Sequence, residues 1–200
     1  MLHAIESNAP DISSVDLGLG DQVDFSLSLG DGSSQVKQLR ISPASPSYAL
    51  GKLPSITLAL EALNISLLPH ESARIMNCVN RGYGRIHRDV SHLARGQEFR
   101  HDSLKNVTIY SFYSAKSMIE LTCCMLKHTA SLECLTLDTT YGYSRCSSCR
   151  SGRCFPMDTR DVLQAKKALV AIRRYIKPEV PCNVNLIVVE PCSSCHVSDN

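Results

Sequence analysis

No apolar run in this chain approaches the roughly 20 residues a membrane-spanning helix needs, which argues against a membrane protein. Net charge is nearly absent as well: 21 Lys and Arg stand against 19 Asp and Glu, a balance of +2. A charge that small, with no dense Lys/Arg face interleaved with aromatic residues, gives no footprint for nucleic acid. The opening MLHAIESNAPDISS lacks a basic start followed by an apolar block, so it does not read as a secretory signal. Chemistry is equally sparse. Gly18-Leu-Gly20 and Gly30-Asp-Gly32 lack the rest of a phosphate loop. No Gly-rich elbow or ordered His/Asp partner accompanies any Cys. The expectation is a chain that is not an enzyme and holds no cofactor.

What the chain does have is a recurring apolar triad. Composition is ordinary for a folded soluble protein, with 44% apolar and 20% charged residues. Leu104-Lys-Asn-Val107-Thr-Ile109 and Leu132-Glu-Cys-Leu135-Thr-Leu137 share the template L-x-x-L-x-L, the strand half of a leucine-rich repeat. It recurs upstream as Ile12-Ser-Ser-Val15-Asp-Leu17, Val36-Lys-Gln-Leu39-Arg-Ile41 and Leu60-Glu-Ala-Leu63-Asn-Ile65. The middle residues Val15, Leu39 and Leu63 are 24 apart, and Val107 to Leu135 is a step of 28. Both lie within the ~20–29-residue period of such repeats.

Because successive strand side chains point to opposite faces, Val107, Ile109, Leu135 and Leu137 point inward. The intervening residues then line an outer wall: Ser14, Asp16, Gln38, Arg40, Ala62, Asn64, Asn106, Thr108, Tyr110, Cys134, Thr136 and Asp138. Solenoids bind other macromolecules on that wall. Tyr and Arg are the residue types that most often dominate an interface, which singles out Tyr110 and Arg40. The alternative is that these polar residues only solvate the sheet.

The returns between rungs differ along the chain. Val23 to Leu29 alternates strictly and reads as a strand on the outer side. Between Ile109 and Leu132 the expected return is a helix capped by Ser114, with Met118, Ile119, Leu121, Met125 and Leu126 as its apolar stripe. A second helix is expected from a cap at Asp158 or Thr159 to Ile176, carried by Val162, Ala165, Leu169, Ile172 and Ile176, and ended by Lys177-Pro178. A last strand follows over residues 183–189, and the helix and strand together read as a terminal cap. The expected fold is therefore α/β: a leucine-rich-repeat solenoid with parallel strands on its concave face and irregular or helical returns. It forms a single domain, with N-terminal repeats over 1–66, an irregular basic insert over 67–99, C-terminal repeats and cap over 100–191 and a tail over 192–200. The insert contains a helical fragment near 73–79.

Ten cysteines are many for a chain with no export signal, and in that setting they read as reduced thiols of the cytoplasm or nucleus. Cys146-Ser-Ser-Cys149 and Cys192-Ser-Ser-Cys195 each offer two ligands of the four that zinc wants, with Cys154 and His196 as substitutes. The 42 residues between the pairs exceed the usual two-knuckle spacing of about 15–20. Surface thiols on turns are the plainer reading, and a zinc-binding or thiol-reactive protein stays as the alternative.

HDSLKNVTIYSFYSAKSMIELTCCMLKHTASLECLTLDTTYGYSR, LQAKKALVAIRRYI and VPCNVNLIVVEPCSSC together resemble the C-terminal leucine-rich-repeat region of plant F-box/LRR proteins, often with an FBD-type end, numerous in grasses. ESNAPDISSVDL and LPSITLALEALNIS are similar to preceding repeats of that region, and only about 67–99 departs from it. The resemblance implies a partner: a protein substrate held by the repeats. It implies a cullin-based ubiquitin ligase only for a longer product carrying an F-box, because this chain begins within the repeats. A truncated product without independent activity is the third reading, since an uncapped first repeat would expose an apolar edge.

Overall fold

The computed structural model describes residues 2–7, 14–18, 24–29, 37–42, 60–66, 102–140 and 157–191. Their backbone forms eight strands and two helices. The strands are β1 (Leu2–Ser7), β2 (Ser14–Gly18), β3 (Asp24–Leu29), β4 (Gln38–Ser42), β5 (Ala62–Ser66), β6 (Asn106–Tyr110), β7 (Cys134–Asp138) and β8 (Asn185–Val189). The helices are α1 (Lys116–His128) and α2 (Thr159–Ala171). Six strands make one sheet in the order β2-β4-β5-β6-β7-β8, every neighbouring pair parallel. β1 and β3 pair, also in parallel, as a separate two-stranded sheet.

The register follows the apolar triads. Val15 pairs with Leu39, Leu39 with Leu63, Leu63 with Val107, and Val107 with Leu135. Leu135 then pairs with Leu186 on the closing strand. Parallel strands cannot slip by one residue without turning their whole apolar set outward, so the shared template fixes this alignment. Leu39, Ile41, Leu63, Ile65, Val107, Ile109, Leu135 and Leu137 are all buried, as are the leading residues Leu60, Leu104 and Leu132. Each such side chain contributes ~1.5–3 kcal/mol by leaving water.

Parallel neighbours need crossovers, and the chain makes them in two ways. β2 reaches β4 through β3, the extended return that the alternation over 23–29 predicts. β6 reaches β7 through α1, and β7 reaches β8 through a stretch containing α2. α1 buries Met118, Ile119, Leu121, Thr122, Met125 and Leu126. Its start differs from the expected Ser114 cap: the cap is Ala115, with no side-chain hydrogen bond. Ala115 is buried, and its carbonyl accepts from Met118 and Ile119 N–H instead. Packing of Ala115 and Phe112, rather than a hydroxyl, sets where this helix begins. Ser111, at φ 54, makes the left-handed turn that leads into it.

α2 does take the Asp158 cap, whose carboxylate accepts from Arg160 N–H at 3.0 Å. It buries Val162, Ala165, Ala168 and Ala171, while Leu169 is only half-buried. Small alanines allow close approach to the core, and the position expected of Leu169 goes to them. Beyond Ala171 the chain widens into a π-helical turn (Ile172–Ile176), then tightens into a 3₁₀ turn (Lys177–Glu179) that contains Pro178. Ile172 and Ile176 are buried in the same core as α1 and the strands. The closing strand is shorter than expected, starting at Asn185, with Leu186 and Val188 packed against the core. The expected insert over 67–99, the turn carrying Cys146, Cys149 and Cys154, and the tail with Cys192, Cys195 and His196 lie outside the described residues.

Candidate binding face

The strand positions between the buried residues form two rows across the six-stranded sheet. One runs Asp16, Arg40, Asn64, Thr108, Thr136 and Ile187; the other runs Ser14, Gln38, Ala62, Asn106, Cys134 and Asn185. Neighbours within a row sit one strand apart, ~4.8 Å. Ser14, Asp16, Gln38, Arg40 and Asn106 are exposed, and Ala62, Asn64, Thr108, Tyr110, Cys134 and Thr136 are partly exposed.

A cation–π contact ties strands together across the face. The Arg40 guanidinium lies over the Tyr110 ring at 5.9 Å from its centroid. Arg40 is on β4 and Tyr110 on β6, so the contact reaches over β5 past Asn64. A cation–π contact at an exposed site contributes about 0.5–1 kcal/mol. It holds two side chains that would otherwise sample many rotamers, and so shapes the middle of the face.

Asp138 departs from the expected outer wall. It is only 3% exposed. β7 ends at this residue, and the chain turns back over it. One carboxylate oxygen accepts from Thr140 N–H at 2.8 Å and from the Thr140 hydroxyl at 2.5 Å. Its backbone carbonyl accepts from Phe112 N–H at 2.7 Å. Next to it, Thr139 donates through both N–H and hydroxyl to the Val189 carbonyl, at 3.0 and 2.9 Å. Asp138 therefore knots together the ends of β6, β7 and β8.

Two features escaped the reading of the sequence. The first is Ile187, 41% exposed, which continues the Asp16–Thr136 row onto β8 beside Asn185. The alternation that put Leu186 and Val188 inside already implied it. The second is a charged rim at the start of the strands. Lys37 pairs with Glu61 at 3.1 Å and Lys105 with Glu133 at 3.7 Å. These residues occupy the second position of the last four templates and alternate in sign, a signal present in the sequence. Backbone bonds run along the same rim, from Glu61 and Ala62 N–H to Lys37 O, and from Lys105 and Asn106 N–H to Glu61 O. Exposed pairs of this kind contribute about 0.2–1 kcal/mol each.

Thiol chemistry has little support among the described residues. Cys123, Cys124, Cys134 and Cys182 are free. Burial pushes the Cys123 thiol up, reinforced by nearby Glu179, and burial also pushes Cys124 up. Both shifts disfavour the reactive thiolate. Among the described residues no group of three or more His, Cys, Asp or Glu is placed to hold a metal ion. No helix among them is long and apolar enough to cross a membrane.

A parallel ladder built on L-x-x-L-x-L, with helical and extended crossovers, defines a leucine-rich-repeat protein of the α/β class. Residues 75–193, more than half of the chain, match the family model described as At1g61320/AtMIF1, LRR domain, and the chain belongs to that family. The matched range begins inside the stretch expected to be an irregular insert. No curated protein and no solved structure gives a match. Leucine-rich repeats are protein-interaction modules.

Proposed function

We propose that this chain is a non-enzymatic protein-binding module that grips a protein substrate on the exposed face of its six-stranded sheet. The reading treats the ladder as a solenoid with this face concave, closed at one end by α2 and β8. The observation that carries it is the row Asp16–Arg40–Asn64–Thr108–Thr136, in register over five strands, with Arg40 and Tyr110 tied across its centre. Tyr and Arg are the side chains that most often anchor interfaces. The resemblance to F-box/LRR proteins supports a role in choosing substrates for ubiquitin transfer, in a product that also carries an F-box to engage a cullin-based ligase. Free thiols at Cys123, Cys124, Cys134 and Cys182 fit a cytoplasmic or nuclear setting.

Proximity labelling with the intact chain tests the reading against an Arg40→Glu/Tyr110→Ala variant. The expected result is a defined protein labelled by the parent chain and lost from the folded variant. An identical labelled set from both chains would overturn it.

A further inference from the structure

The six-stranded sheet ends on β8, and among the described residues no strand pairs with its outer edge. α2 and the turn after it pack on the core at this end, but they leave that backbone edge open. The hydrogen bonds to β7 show which groups face it. Asn185 N–H donates to Glu133 O at 2.8 Å, and Val189 O accepts from Thr139 N–H at 3.0 Å. Alternate residues of a strand direct their N–H and C=O to opposite sides. Asn185, Ile187 and Val189 therefore serve β7, while Leu186 and Val188 turn theirs outward. The side chains record the same open flank. Leu135 and Leu137, with a rung on each side, are fully buried. Their register partners Leu186 and Val188 pack on the same core yet stay partly exposed, and Ile187 on the other face is exposed. Sheet edges are ordinarily guarded by a charge, a proline or a bulge. From Cys182 to Val189 the sequence CNVNLIVV has no charge and no proline, and β8 pairs with β7 without a bulge over its whole length.

We propose that β8 docks β8 of a second copy of this chain, antiparallel about a two-fold axis at Ile187, joining two six-stranded sheets edge to edge. The outward N–H and C=O groups of Leu186 and Val188 select a strand, because only a backbone offers both partners at this spacing. Sequence symmetry selects the identical strand. In the register centred on Ile187, Leu186 lies opposite Val188 of the second copy, and Val188 opposite Leu186. These two pairs use every outward group of both residues, in four hydrogen bonds. The same register sets leucine beside valine twice on the core side. On the other face it sets one Ile187 beside the other at the close spacing of a non-hydrogen-bonded pair, ~4.5 Å between Cα atoms. Charge does not oppose the pairing. Glu190, next after the strand, is held by Arg173 of its own chain at 3.9 Å. In this register the two copies of Glu190 stand six residues apart along the strands, roughly 20 Å and beyond the ~8 Å Debye length. An acidic or basic partner strand would find no opposite charge on β8 to meet. A two-fold contact closes on itself, so association stops at the dimer. An edge of five residues is small beside the ~1,200–2,000 Å² of stable interfaces, so the dimer is weak and needs high protein concentration.

The test is sedimentation equilibrium of the intact, reduced chain between about 1 and 100 µM. The parent should pass from monomer to dimer and no further. Ile187→Lys and Ile187→Glu each place like charges about 5 Å apart across the axis. Each should raise the dissociation constant about tenfold or more, with circular dichroism unchanged, and an equimolar mixture of the two should regain the dimer. Ile187→Cys under mild oxidation should give a disulfide between the two positions 187 in non-reduced peptide maps, because the Cα spacing fits one. Asn185→Cys, roughly 14 Å from its copy in this register, should give no such link between the two positions 185. The Arg40→Glu/Tyr110→Ala variant should dimerise like the parent, so this edge and the sheet face fail or hold separately. Equal dissociation constants for the parent and the Ile187 variants would overturn the inference. Mass growing past the dimer would overturn it in favour of edges joined head to tail. A monomer at every concentration would overturn it as well, and protection of the Leu186 and Val188 amides from hydrogen exchange would then assign the edge to a segment of the same chain.

Discussion

Replacing Asp138 by alanine separates two ways of understanding this position. By strand alternation alone Asp138 is a surface residue, and its loss should cost no more than an ordinary surface substitution, within about 0.5 kcal/mol. In the structure its carboxylate is the acceptor for both Thr140 N–H and the Thr140 hydroxyl, inside a site where Thr139 and Thr140 are themselves buried. A hydrogen bond to a charged group contributes about 1.5–3 kcal/mol, and a buried donor left without an acceptor pays its desolvation. The two bonds share one oxygen and are not independent, so the expected loss is about 3 kcal/mol rather than twice that. For a chain of this size each kcal/mol moves Tm by about 2–4 °C, so Asp138→Ala should melt about 6–12 °C below the parent. Asp138→Asn keeps an acceptor oxygen in place and should lose about 1 kcal/mol. Asp16→Ala, on the exposed row, is the matched control. Thermal melts by circular dichroism, backed by urea unfolding, read all three. Equal Tm values for Asp138→Ala and Asp16→Ala would refute the knot.

Leu63 is in the middle of the ladder, between Leu39 and Val107; Leu63→Ala should destabilise by about 2–5 kcal/mol in urea unfolding, as large-to-small core changes do. Among the described residues the Thr129 hydroxyl is buried without a hydrogen-bond partner, while the Thr122 hydroxyl donates to Met118 O at 2.8 Å. Thr129→Val should therefore leave Tm unchanged or raise it, by up to about 1 kcal/mol of stability, and Thr122→Val should not. The raised Cys123 and Cys124 thiols hold their protons in the folded chain after the unfolded chain has begun to lose them. Stability from this source is fully present below the ordinary thiol range and declines as pH rises through it. Iodoacetamide at mildly alkaline pH should accordingly modify exposed Cys182 well before Cys123, as peptide mass mapping would show.

The ladder was legible because its code is redundant. Five segments repeat one template, and a period of two leaves a single face for the apolar set, so Val15, Leu39, Leu63, Val107 and Leu135 could align in only one register. The long helix was legible through its Asp158 cap and its spacing of threes and fours. What stayed hidden depends on distances no local pattern encodes. Arg40 and Tyr110 are 70 residues apart in sequence and meet only because β4 and β6 flank β5. Asp138 has the parity of a surface residue, yet the strand ends there and the next two threonines fold over it. Ser111 takes a left-handed turn with no glycine to announce it. In α2, apolar spacing weighted by side-chain size points to Leu169, whereas close packing favours Ala168 and Ala171. β1 was missed because Leu2 and Ala4 alternate with His3 and Ile5, which presents no clean apolar face.

The electrostatics of the sheet face have a short reach. At the strand rim, each Lys sits beside a Glu, and in the outer row Arg40 is the register partner of Asp16. Opposite charges a few ångströms apart cancel beyond the ~8 Å Debye length of physiological salt, so the sheet face acts on a partner only by contact. Selection there must come from shape, hydrogen bonds and the Arg40–Tyr110 pair. Added salt should therefore hardly change the on-rate of a partner at the sheet face. Stopped-flow association at low and high salt would measure this, and an on-rate that falls steeply with salt would contradict the reasoning.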